Sequence, residues 1–327
     1  MTIANPSDLL GLQTHVSGTI VDHDEIVARA VHLGESQHDI DLSESPCSIN
    51  IVVAANASPA RTSAAEDLQT GTPASTVQLL KTIGAIIGLA LLATSATAAG
   101  LNSLIVEQVA KMPSGGKYSV SHFAKIKLES TAHFESGKFF VAPTKPYVSF
   151  CSGATYIVFI KTIEALRDSG QLELDFATLN QLMIRDQHDG EGIWGRWNAN
   201  GPGTARLFHE LGLGRNFTDF AQAQPGDFMK IFWNQNVGKR ESGHSVIFLG
   251  TTNHPDGEYV RFWSSNIGMG YGEKEVPRSK IAYAIFSRLE TPANLTRIHD
   301  VPVVDGYLSS LLRKKSNFEE ARQKCGI

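Results

Sequence analysis

The sequence predicts an α+β fold, because helical periodicity comes first along the body of the chain and strand periodicity follows it. Ser152 to Arg167 reads as a helix, with Ile157, Phe159, Ile160, Ile163 and Leu166 near helical spacing and Gly170 as its stop. Asp175 to Arg185 and Thr204 to Leu211 read as a second and a third helix, the latter ended by Gly212 and Gly214. From there the period changes to two. Phe228 to Trp233, Ser245 to Leu249, Tyr259 to Trp263 and Ile281 to Phe286 read as short strands, separated by turns such as Asn253-His254-Pro255-Asp256-Gly257. Tyr307 to Leu312 and Asn317 to Lys324 read as tail helices, with no chemistry-bearing motif.

Aromatic residues bound the folded part. The 16 Phe, 7 Tyr and 4 Trp all fall after position 117, with Tyr118 the first. Aromatic side chains supply much of the buried area of a domain, so the first 117 residues offer little to build a core. Charge divides the chain similarly: residues 1–76 hold ten carboxylates against Arg29 and Arg61, leaving 27 basic and 23 acidic residues behind them. The formal charge of −4 thus hides a mildly basic body, whose Lys and Arg are too few and too scattered for nucleic-acid binding. Such a body is compatible with an anionic polymer such as bacterial cell wall.

One strongly apolar run, Thr82 to Ala99, follows Lys81. It reads as a secretory signal, with a core from Ile83 to Leu92 and an A-x-A pattern at Ala96 to Ala98; a membrane anchor through residues 82–99 is the alternative. The expected organisation is therefore an acidic leader over 1–76, disordered or absent from the mature protein, and a signal or anchor over 77–98. A lead-in over 99–139, a main domain over 140–290 and a helical tail over 291–327 complete it. A cleaved signal implies a secreted or periplasmic protein without stable membrane contact. Cys47, Cys151 and Cys325 are too widely spread for a disulfide framework or a C-x-x-C metal pair.

The chemistry begins at Cys151. Pro146-Tyr147-Val148-Ser149-Phe150 is an extended approach, and the cysteine falls where the first helix of the body starts. A thiol there faces free backbone N–H groups and the positive end of the helix dipole, which favours thiolate and can stabilise an oxyanion. Activation needs a base. Of eleven histidines, His244 is the best placed, at the mouth of the apolar strand Gly243-His244-Ser245-Val246-Ile247-Phe248-Leu249. The next strand ends Ser264-Ser265-Asn266, offering Asn266 to orient the imidazole and Ser264 as the alternative. Tyr147 can present its hydroxyl to the site or simply pack. Asp227 is expected to shape a turn.

These residues resemble the NlpC-type cell-wall peptidases and the related CHAP amidohydrolases. The likeness rests on Cys151-Ser152-Gly153, on Gln224-Pro225-Gly226-Asp227-Phe228 opening a strand, and on Gly243-His244 opening the next; it covers about residues 140 to 290. It implies a papain-like fold and a secreted cysteine hydrolase cutting amide bonds of peptidoglycan, as a stem-peptide endopeptidase or an amidase, or a peptidase acting on other peptides. No cofactor is implied. Many NlpC-type enzymes have histidine as third residue; Asn266 suits the CHAP pattern better.

The stretch Gly190 to Gly203 brings Trp194 and Trp197 among glycines and asparagines, and reads as a loop whose tryptophans either line a substrate groove or cap the core. A non-catalytic wall-binding domain using that loop is the alternative function. Asp186, His188 and Asp189 lack a convincing fourth partner, so no metal is expected.

Overall fold

The computed structural model describes residues 100–135, 138–142 and 148–327. The chain divides into two units, Met1–Gly71 and Thr72–Ile327. The first unit, the expected signal or anchor and Tyr147 lie outside the described residues. Among those described, no helix is long and apolar enough to cross a membrane.

The order of elements is α+β. Helix α1, residues 100–110, leads to β1 (Lys117–Tyr118), α2 (His122–Glu129), the hairpin β2 (Ala132–Glu135) and β3 (Lys138–Val141), and β4 (Val148–Ser149). Four helices follow: α3 (Cys151–Asp168), α4 (Phe176–Gln181), α5 (Gly192–Trp197) and α6 (Gly203–Leu211). Then come β5 (Gly214–Phe217), β6 (Phe228–Phe232), β7 (Val237–Gly238), β8 (Gly243–His254), β9 (Gly257–Asn266), β10 (Gly270–Pro277) and β11 (Tyr283–Leu289). Helix α7 (Gly306–Ser310), β12 (Lys315–Ser316) and α8 (Phe318–Lys324) close the chain.

Six strands form one antiparallel sheet in the order β10-β9-β8-β6-β11-β5. The period of two in the sequence sends alternate residues to opposite faces. Phe228, Ile247 and Trp263 join α3 in the main core, while Met229, Val246, Phe248, Val260 and Phe262 build a second cluster. Helix α3 is buried along most of its length, and Gly170 ends it in the left-handed conformation, φ 70°, with Gln171 N–H closing on Leu166 C=O at 2.8 Å.

Two sequence readings change. The lead-in and the tail are parts of the same body, not appendages to residues 140–290. Leu101, Ile105 and Val109 of α1 enter the main core. Asn102 Nδ2 donates to Asp227 Oδ1 at 2.9 Å and to Pro225 C=O at 3.0 Å. The tail is held by Arg196, fully buried, which donates to the carbonyls of Gly190, Gly192, Pro302 and Val303 and pairs with Glu210 at 2.8 Å.

The Gly190–Gly203 stretch is also no surface loop. It folds into α5 and the start of α6, and it buries both tryptophans: Trp194 is 5% and Trp197 1% exposed. Trp197 lies edge-on to Phe228 at 5.1 Å and tilted over Phe159 at 4.8 Å, and its Nε1 donates to Thr155 Oγ1 at 3.2 Å. Trp197, a buried indole with its N–H satisfied, is a core residue and not a groove wall, while Trp194 packs its ring on Phe150 and Tyr156.

Candidate active site

Cys151 is the first residue of α3. Phe150 at the N-cap has no side-chain oxygen to cap the helix, and the first amide drawn into it is Ala154 N–H, bonded to Phe150 C=O at 2.9 Å. The N–H groups of the first turn therefore remain available beside the thiol. Gly153 lets α2 pack close, since a Cβ there would stand 2.6 Å from Leu128 Cδ2 and push that side chain aside.

His244 and Asn266 reach the same place from β8 and β9. Asn266, 1% exposed, donates through Nδ2 to Gly272 C=O at 2.9 Å and to Ser264 C=O at 3.2 Å. Those two bonds fix the orientation of the amide and turn Oδ1 to His244 Nε2, 3.1 Å away. An acceptor at that position requires the proton on Nε2, which leaves Nδ1 as the nitrogen to take the thiol proton. The ring is held by Trp233, stacked at 6.3 Å, and by the edge contact with Phe262 at 5.7 Å.

Burial pushes the Cys151 thiol up, but this is outweighed by the hydrogen bond and charge of His244, a bond from Ser245 N–H and the charge of Lys230. The net result is a thiol brought down to about 6. Tyr118, carried by β1, stands with its hydroxyl 3.9 Å from Cys151 Sγ. Burial, the neighbouring cysteine charge and the bond to it raise the Tyr118 hydroxyl well above its ordinary range, so it stays protonated and can donate. Strand β1 is placed by parallel pairing with β4, Tyr118 opposite Ser149, whose Oγ donates to Ser265 Oγ at 2.8 Å.

The thiol opens into a cleft of about 450 Å³ whose lining includes Tyr118, Ser152, Asp189, Asn198, Lys230 and Glu241. Ser264 is not the third group, because its Oγ donates to Ser245 C=O at 2.7 Å and thereby ties β9 to β8. Among the described residues no cluster of three or more His, Cys, Asp or Glu side chains could hold a metal. Cys325 is buried, and burial raises its thiol to about 12, which makes it chemically quiet.

Tyr118, Lys230 and Glu241 were not singled out by the sequence reading. Tyr118 gave no local signal. Lys230 did: a lysine inside the apolar strand Phe228-Met229-Lys230-Ile231-Phe232 must find a partner or be functional.

A thiol that opens into the cleft, an imidazole that lowers it and a fixed amide bonded to that imidazole are thus grouped, a set of groups with the chemistry to attack a carbonyl carbon. No family model, no curated protein and no solved structure matches the chain.

Proposed function

We propose that the protein is a cysteine hydrolase of papain-like type, secreted to cleave amide bonds in bacterial peptidoglycan. The observation that carries this reading is the Cys151 thiol at a helix start, brought down to about 6 against its burial chiefly by His244, whose Nε2 stands 3.1 Å from the Oδ1 of a fixed Asn266. The wall as substrate is supported by the order of the NlpC- and CHAP-like motifs, by the mildly basic body and by the export-like segment ahead of it.

In the proposed reaction His244 takes the Cys151 proton, and the sulfur adds to the amide carbonyl carbon. The developing oxyanion is met by Cys151 N–H and the Tyr118 hydroxyl. His244 gives its proton to the nitrogen as the C–N bond breaks, releasing the amine and leaving a thioester. Water, deprotonated by His244, then adds to the thioester; the acid leaves and the proton returns to sulfur.

The test joins reactivity to turnover. Alkylation of Cys151 by iodoacetamide, followed by mass spectrometry, has its half-maximal rate near pH 6, where an ordinary thiol would need about 8.5. The sign follows from the lowered thiol: thiolate accumulates as pH rises through about 6 and is lost below it. Purified cell wall incubated with the protein gains new amino groups. An ordinary thiol profile together with no released amine would sink the reading.

Asn266→Ala is expected to weaken turnover without abolishing it. One hydrogen bond to a group that becomes charged contributes about 1.5–3 kcal/mol, so kcat/KM falls roughly 10- to 100-fold. A loss as large as that of His244→Ala would give Asn266 more than an orienting role.

A further inference from the structure

On the wall of the cleft, Lys230 Nζ meets Glu241 Oε1 at 2.6 Å, with the two side chains 13% and 6% exposed. Glu241 is fully engaged: its Oε2 accepts Gly201 N–H at 2.7 Å and Gly238 N–H at 2.8 Å. Lys230 lies opposite Ser245 in the β6–β8 ladder, and Ile231 lies opposite His244. Gly243, immediately before the histidine, makes room for the pair, since a Cβ there would come within 2.8 Å of both Lys230 Nζ and Glu241 Oε1. A side chain at position 243 would have to displace the ends of this charge pair.

Resting on the reading of Cys151 as nucleophile, we propose that Lys230, metered by Glu241, is a positioning residue that sets the electrostatic poise of the Cys151–His244 pair. Removing a buried pair in favour of apolar side chains often costs a protein no stability, so stability alone is a weak reason for charges at this place. Lys230 lines the same cleft as Cys151. Burial raises the thiol; against it stand His244, Ser245 N–H and the Lys230 charge, in that order. Tyr118 faces the thiol from β1, and Lys125 of α2 and Asp189 ahead of α5 also line the cleft. The Lys125 side chain makes no ion pair or hydrogen bond among the described residues, whereas the Lys230 cation is held by Glu241 at 2.6 Å.

The two partners should act with opposite signs, which a purely structural ion pair would not do. The experiment is the pH dependence of iodoacetamide alkylation at Cys151 in the full chain. With the cation gone in Lys230→Met, the midpoint moves to higher pH. At pH 6 alkylation slows roughly threefold to tenfold, the reach of one nearby charge at an effective dielectric of about 20. Glu241→Gln leaves the cation unbalanced, and the midpoint moves to lower pH. Lys230→Arg keeps the wild-type profile. Lys230→Gln repeats the upward shift with a hydrogen-bonding group in place, which answers a failure of the methionine variant to fold.

Shifts in the same direction for Lys230→Met and Glu241→Gln, or none, overturn the inference while leaving the nucleophile standing. A wild-type midpoint at the value of an ordinary thiol overturns both.

Discussion

Cys151→Ala is expected to abolish amide hydrolysis, with a fall of at least about 10⁴-fold in kcat, while the protein melts within a few degrees of wild type. In the proposed reaction the loss is this large because no other group lining the cleft is a thiol able to form the thioester. The fold is spared because Cys151 is only partly buried and alanine removes a single sulfur atom while leaving the α3 backbone as it is. His244→Ala should fall to a similar level, and the double variant no further, since residues that act as one unit do not add. Amine release from purified wall and a thermal melt together check both halves. Unchanged turnover in Cys151→Ala would remove the assignment.

Asp227→Ala should be among the most damaging substitutions to stability. Asp227 is fully buried and receives Arg288 through Nε at 2.8 Å and Nη2 at 2.6 Å, Asn102 Nδ2 at 2.9 Å and Gln224 N–H at 2.8 Å. Its removal strands a guanidinium that is 3% exposed, and breaking a buried pair in this way costs about 3–5 kcal/mol. For a body of this size each kcal/mol lowers Tm by about 2–4 °C, so a fall of roughly 6–20 °C is expected by calorimetry. A fall under 2 °C would mean that water reaches Arg288. The turn role read from the sequence is real, through Gln224 N–H, and is the smaller part of what this aspartate does.

How legible the molecule was depended on how far each partner lay along the chain. Helix α3 and strand β6 follow from local pattern, because both bury one or two faces of regular period. Strand β10 escaped notice: Glu273, Lys274 and Glu275 are exposed at the sheet edge, and only Tyr271 and Val276 carry an inward pattern. Helix α5 is masked in the sequence by its glycines, and holds because Trp194, Arg196 and Trp197 are all buried. At the site, Cys151 and His244 were readable from the chemistry of a helix start and a strand mouth. Asn266 was readable only as a candidate beside Ser264, since its orientation depends on Gly272 of the unnoticed strand β10.

By itself the sequence determined the α+β order, the helix-start thiol and the histidine that could serve it, because each rests on residue type and spacing within one element. Tertiary structure decided the rest. It chose Asn266 over Ser264, buried the tryptophans, drew the first and last segments into the core, and set Tyr118 and the Lys230–Glu241 pair around the sulfur. The physical reason is common to all of these: hydrogen-bond direction, burial and charge at a point depend on groups brought together from distant positions, and neither composition nor period encodes that meeting.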